Sequence, residues 1–174
     1  MLKSKMKNIM ILAGAAFLVL GIWTLSAQAQ PVHFKELVSI LTIEPPQGWK
    51  MAEKPQGKTM KSPVQVSEAE VEFKSGDEKE IEIKIVDGLG GMMPLMNMAQ
   101  GMEMESSEEY VKPIEIQGFK GTEKFEYKEK KGEIILPVAK RFLVTIEGEG
   151  LENNEVIKEV AGKLDLKKLA GLAK

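Results

Sequence analysis

The strongest constraint on the fold is a two-residue rhythm of apolar and charged side chains. Ala69, Val71 and Phe73 alternate with Glu70 and Glu72, and Ile81, Ile83 and Ile85 alternate with Glu82 and Lys84. Ile114 and Ile116 alternate as well. Phe119, Phe125 and Tyr127 share one parity, while Lys120, Lys124 and Lys128 hold the other. The same pattern returns at Ile134, Leu136 and Val138, and at Phe142, Val144 and Ile146. In a strand successive side chains point to opposite faces, so this rhythm predicts antiparallel strands with one buried and one wet face. Ser75-Gly76-Asp77 reads as the turn of the first hairpin. Lys130-Lys131-Gly132 reads as a later turn, with Gly132 free to take positive φ. Ala139-Lys140 reads as the tight turn between the last two strands. Val64 and Val66 fall out of parity with Val71 and Phe73, which predicts a bulge near Ser67-Glu68.

Helical spacing is confined to a few stretches. His33 to Leu41 carries Phe34, Val38 and Leu41 three to four apart, and Pro45-Pro46 ends it. Gln47-Gly48-Trp49 turns the chain into the body of the domain, and residues 52–63 read as an exposed loop. A further helix is expected before Ile114, with Pro94 in its first turn. Its sheet-facing stripe is Leu95, Met98, Ala99 and Met102. Val156, Ile157, Val160, Ala161 and Leu164 mark another helix, capped by Asn153 or Asn154. Asp165 caps a last short helix with Leu166, Leu169 and Leu172. The expected order is helix, hairpin, helix, four-strand meander, helix. That predicts an α+β fold, a single antiparallel sheet of about six strands flanked by helices.

Gly118-Phe119-Lys120-Gly121-Thr122-Glu123-Lys124-Phe125, followed by Leu136-Pro137-Val138-Ala139-Lys140-Arg141-Phe142-Leu143-Val144, resembles a group of small exported bacterial proteins. The layout over roughly residues 40–168 is similar to the Mog1/PsbP-like fold. The resemblance implies binding or assembly rather than catalysis. It carries over no functional residue.

The N-terminus gives an address. Lys3, Lys5 and Lys7 precede an uncharged run from Ile9 to Leu25, and Ser26-Ala27-Gln28-Ala29 places small residues at the -3 and -1 positions of a cut after Ala29. This is the layout of a secretory signal peptide over residues 1–29, preceding one domain over residues 30–174. The competing reading is a retained anchor, since 17 apolar residues lie at the short edge of what spans a bilayer. Periplasmic or extracellular placement is expected, with membrane contact only if the leader is retained. Its removal takes out three lysines and no acid, which moves the formal charge from -2 to -5. An acidic domain with a single arginine, Arg141, is not expected to bind nucleic acid. With no Cys and one His, thiolate chemistry, iron–sulfur clusters and His-rich metal sites are excluded. No nucleotide-binding glycine loop, nucleophile elbow or calcium loop appears, Gly88, Gly90 and Gly91 read as a turn, and no cofactor is expected.

The most unusual feature is a run of methionines. Met92, Met93, Met96, Met98, Met102 and Met104 lie within thirteen residues, and residues 88–102 carry no charge. Three readings are open. Met is an adaptable core filler. A Met-rich face also repacks around varied partners, which makes Met92, Met93, Met96, Met98 and Met102 candidate contacts for an envelope protein or apolar ligand. Thioether sulfur also selects copper(I), which makes Met92, Met96, Met98 and Met102 alternative metal ligands.

Glu123 is the second candidate, because it shares parity with Phe119, Phe125 and Tyr127. Burial would raise its pKa toward acid–base use, or it is a structural carboxylate paired with a Lys or with Arg141. One carboxylate without partner groups makes no mechanism, so a non-enzymatic protein is expected. His33 reads as a surface helix residue. Glu103, Glu105, Glu108 and Glu109 form an acidic run, a solvated end or a divalent-cation site. Lys124, Lys128, Lys130 and Lys131 read as a solvated hairpin face.

Overall fold

A computed structural model describes residues 30–63, 65–76, 78–89 and 101–174. Helix α1 spans Phe34–Leu41, α2 Glu155–Lys163 and α3 Leu166–Gly171. The strands are β1 (Lys50–Met51), β2 (Gln56–Met60), β3 (Val66–Ser75), β4 (Lys79–Asp87), β5 (Met104–Glu105), β6 (Glu109–Ile116), β7 (Phe119–Glu126), β8 (Lys131–Val138) and β9 (Phe142–Glu149). They form one nine-stranded sheet in the order β1-β3-β4-β9-β8-β7-β6-β5, with β2 also on β3. Every pairing is antiparallel. The hairpin β3–β4 is therefore joined by the last strand of a meander that starts at the far edge and returns.

This corrects the expected six-strand, helix-flanked arrangement. The sheet holds nine strands, and the described helices number three, none longer than nine residues. The extra strands come from segments with little or no apolar alternation. β2 lies inside the stretch expected to be a loop and pairs with β3 through Gln56↔Glu70 to Met60↔Val66. Gly57 permits this seat, since a Cβ there would lie 2.5 Å from the Glu68 carbonyl oxygen. β1 and β5 are two-residue strands, below what periodicity can detect.

The expected bulge is absent. β3 pairs with β4 without interruption from Ser67↔Asp87 to Ser75↔Lys79, and both Val66 and Ser67 are buried. The Ala139-Lys140 turn is as expected, with both residues at positive φ (53° and 56°). Gly132, by contrast, lies in β8 and Lys130 takes the positive φ of 51°. In α1 the buried face is Leu37, Ile40 and Leu41, one step from the expected Phe34-Val38-Leu41 stripe. Val64, Asp77, Gly90, Gly91, Pro94, Leu95, Ala99 and the signal-peptide residues lie outside the described residues.

The core lies on one side of the sheet. Phe73, Ile81, Ile83, Ile85, Ile134, Leu136, Phe142, Val144 and Ile146 are fully buried against Leu37 and Leu41 of α1, Ile157 and Val160 of α2 and Leu166 and Leu169 of α3. Each such side chain contributes about 2 kcal/mol by leaving water. The other side of the sheet is charged. One row runs across four strands as Glu72↔Glu82↔Glu147↔Glu133. Lysines flank it, with Lys84 to Glu70 and Glu82, and Lys131 to Glu147 and Glu149. The strand ends define two poles. The turns at Gln117-Gly118 and Ala139-Lys140 lie at one, where residue 30 also arrives. The turns at Ser75-Gly76, Ser106 to Glu108 and Tyr127 to Lys130 lie at the other.

Candidate functional site

Glu123 lies where its parity puts it, on the apolar side of β7, and is 1% exposed. Four side chains converge on it. Tyr110 of β6 donates from its hydroxyl to Oε1 at 2.6 Å, and Asn154 Nδ2 lies 3.2 Å from the same oxygen. Lys158 Nζ of α2 is 3.1 Å from Oε1, and Lys112 Nζ is 3.8 Å from Oε2. The partner is thus a lysine, whereas Arg141 is engaged elsewhere. Burial alone pushes the Glu123 carboxyl up, but the hydrogen bonds from Tyr110, Lys158 and Asn154 outweigh it and hold it below the ordinary range. Burial and the neighbouring Glu123 push the Tyr110 hydroxyl up, so it stays a donor. A carboxylate held as an anion among fixed donors is suited to pinning α2 onto β6 and β7. It is poorly suited to giving up a proton near neutrality.

Asn154 stands at the N-cap of α2 but makes no side-chain cap; Asn153 Oδ1 accepts from the Glu155 amide instead. The Asn154 amide is spent on Glu123, the Tyr110 hydroxyl and the Lys124 carbonyl, the last at 2.8 Å. This explains Gly132: a Cβ there would run into the Asn154 carboxamide. A second buried ion pair lies at the opposite pole. Arg141 Nε donates to Asp87 Oδ1 at 3.0 Å and Nη2 to Oδ2 at 2.9 Å. Asp87, 2% exposed, also accepts the Val32 amide at 2.7 Å, and Arg141 Nη2 donates to the Gln30 carbonyl at 2.7 Å. The Phe34 amide donates to Thr59 Oγ1 at 3.0 Å, which pairs with Ser67 Oγ at 2.7 Å. Side chains thus hold the strap that leads into α1 at three points.

Of the methionine candidates, Met92, Met93, Met96 and Met98 lie outside the described residues. Met102, expected in a sheet-facing helical stripe, is instead 57% exposed in a non-helical segment. Met104 is 40% exposed on β5, opposite Val111. Tyr127, 42% exposed, packs its ring 6.1 Å from that of Tyr110, over which Lys112 Nζ lies 4.6 Å from the centroid. Large exposed apolar side chains thus occur on both faces of the β5–β6 edge, Met104 on the Val111–Lys124 face and Tyr127 on the Tyr110–Phe125 face.

The acidic run is dispersed. Glu105 is in β5, and Glu109 pairs with Lys124 at 2.9 Å. Among the described residues no group of three or more His, Asp or Glu could hold a metal ion. His33 is exposed and caps α1, its Nδ1 accepting from the Lys35 amide at 3.3 Å. Lys124 is tied to Glu109 and Glu126, and Lys130 to Glu152 at 2.6 Å, so the hairpin lysines are laced with carboxylates. No helix among the described residues is long and apolar enough to cross a membrane.

Sequence reading missed the Asp87–Arg141 clamp and the part played by Asn154. The first had a signal: the single arginine of the chain, next to a tight turn, and an aspartate closing an otherwise Ile-rich strand. The second had none, because an Asn before a helix reads as a cap. Compared with known protein families, curated proteins and solved structures, the chain matches none.

Proposed function

We propose that this is an exported, non-enzymatic binding or assembly protein of the cell envelope, contacting its partner through the β5–β6 end of the sheet. The observation that carries the reading is that Met102, Met104 and Tyr127, spread over both faces of this edge, are each at least 40% exposed. Exposed apolar side chains cost solubility unless something covers them, and Met and Tyr are residue types that adapt to or anchor a protein partner. Neighbouring polar groups, Lys112 and Glu108, supply a wet rim. The engaged, ionised state of Glu123 supports a structural rather than a catalytic part for that carboxylate.

The reading is tested with a photocrosslinking residue placed singly at positions 102, 104 and 127, and at Met60 on the opposite edge as control, in cells that export the protein. A discrete adduct from the three hairpin positions and none from position 60 is expected. Equal labelling from all four, or none from the hairpin, removes the basis of the proposal. Intact mass of the exported chain is expected to begin at Gln30.

A further inference from the structure

We infer that, while the leader is attached, the pole of the sheet around Gln30 rests on an anionic phospholipid surface. The inference depends on residues 1–29 acting as a membrane-inserting leader, whether removed later or retained. Four residues, Ser26 to Ala29, separate the apolar run from Gln30. Fully extended they reach about 14 Å. The headgroup layer alone takes up roughly 5–7 Å of that reach. Nothing downstream of the linker adds slack, because the Gln30 carbonyl is held by Arg141 and the Val32 amide by Asp87. The pole is thus kept within about 8 Å of the headgroups, close to one screening length in physiological salt.

The side chains displayed there fit an anionic surface. Lys140 adjoins Arg141 in the turn, Lys61 follows the end of β2, and Lys35 lies in the first turn of α1; all three are exposed. Met60, 43% exposed, supplies an apolar contact beside Lys61. The acids nearby are few. Asp87 is neutralised by Arg141 and Glu68 by Lys58 at 2.8 Å; the other exposed acids at this pole are Glu36, Glu115 and Asp165, beside the further lysines Lys120, Lys163 and Lys167. The far pole carries Glu78, Glu108 and Glu129 among its turns, together with Glu149 and Glu152, which pair with Lys131 and Lys130. Each lysine near an anionic surface adds about fivefold to affinity, so three suffice to orient a tethered domain although not to recruit a free one.

The chain has no cysteine, so single labels can be placed cleanly. The full-length chain carrying Met60→Cys or Ser107→Cys is labelled with a fluorophore and inserted into vesicles bearing a headgroup quencher. The vesicles are phosphatidylcholine with or without phosphatidylglycerol. Several-fold stronger quenching at position 60 than at 107 is expected with phosphatidylglycerol. The contrast should shrink in phosphatidylcholine alone, and in the phosphatidylglycerol vesicles when Lys35, Lys61 and Lys140 are changed to Gln. Equal quenching at both positions on vesicle-bound protein overturns the docking. A full-length chain that does not float with the vesicles at all overturns the leader reading, and the docking with it.

Discussion

Glu123 and Glu133 sit on neighbouring strands, face opposite sides of the sheet and have opposite electrostatic fates. Glu123 is buried but surrounded by donors, so its pKa falls below the reference value of 4.5. Its stabilisation is present above that value and is lost as pH falls through the lower, folded pKa. Glu133 is raised by burial and then by Glu147 directly opposite. Its contribution is fully present below pH 4.5 and is lost as pH rises through the raised, folded pKa. We expect Glu133→Gln to stabilise the protein at pH 7 by about 0.5 kcal/mol, the cost of like charges facing across strands. The gain should shrink toward zero as the pH of urea unfolding is lowered toward 4.5. An unchanged gain would mean that Glu133 is not protonated in that window. Glu123→Leu strands the Tyr110 hydroxyl and leaves Lys158 to Glu155, so a loss of about 3 kcal/mol is expected. Tyr110→Phe should cost about 1.5 kcal/mol, and the double variant less than the sum, because both act in one network.

At the scale of elements, the N-terminus of α2 and the start of β8 are fitted to each other. Asn154 gives up its capping bond to reach into the sheet, and Gly132 leaves the space it enters. Gly→Ala in a strand normally gains a fraction of a kcal/mol by restricting the unfolded chain. Here the added methyl meets the carboxamide, and Gly132→Ala should cost about 2 kcal/mol. Adding Asn154→Ala should recover part of that loss; strictly additive unfolding energies would show that the two sites do not touch. The opposite turn holds Ala139 and Lys140 at positive φ, where neither residue is comfortable. Replacing the pair with Asn-Gly should raise stability by about 1 kcal/mol, measured by thermal unfolding, since that dipeptide suits a turn with two positive φ angles.

For the whole molecule, the Asp87–Arg141 clamp joins the end of β4, the start of β9 and the strap before α1. Lysine cannot reproduce the bidentate pairing, so Arg141→Lys should cost about 3 kcal/mol. Amide exchange at Val32 and Phe34 should rise more than exchange at the centre of β9; uniform acceleration would mean global loosening instead. Sequence reading missed such long-range ties, and most of the candidate site with them, because a residue type can hint at a pairing but local pattern does not name its partner. Lys158 reaches Glu123 from a helix 35 positions away, and Arg141 reaches Gln30 across 111. What the sequence determined by itself is the local repeat. β3, β4, β7, β8 and β9 are legible because each has one apolar and one charged face, and a slip of one residue would invert every side chain. The burial of Ile157, Val160 and Ala161 on α2 and the burial of Glu123 are legible for the same reason. Tertiary structure alone decided the strand count, because β1, β2 and β5 have too short or too polar a pattern to announce a face and become strands only when a neighbour supplies hydrogen bonds. It alone decided the order as well, placing β9 between β4 and β8. Periodicity records which side of a strand is buried; which strand lies beside it depends on contacts between residues far apart in the chain.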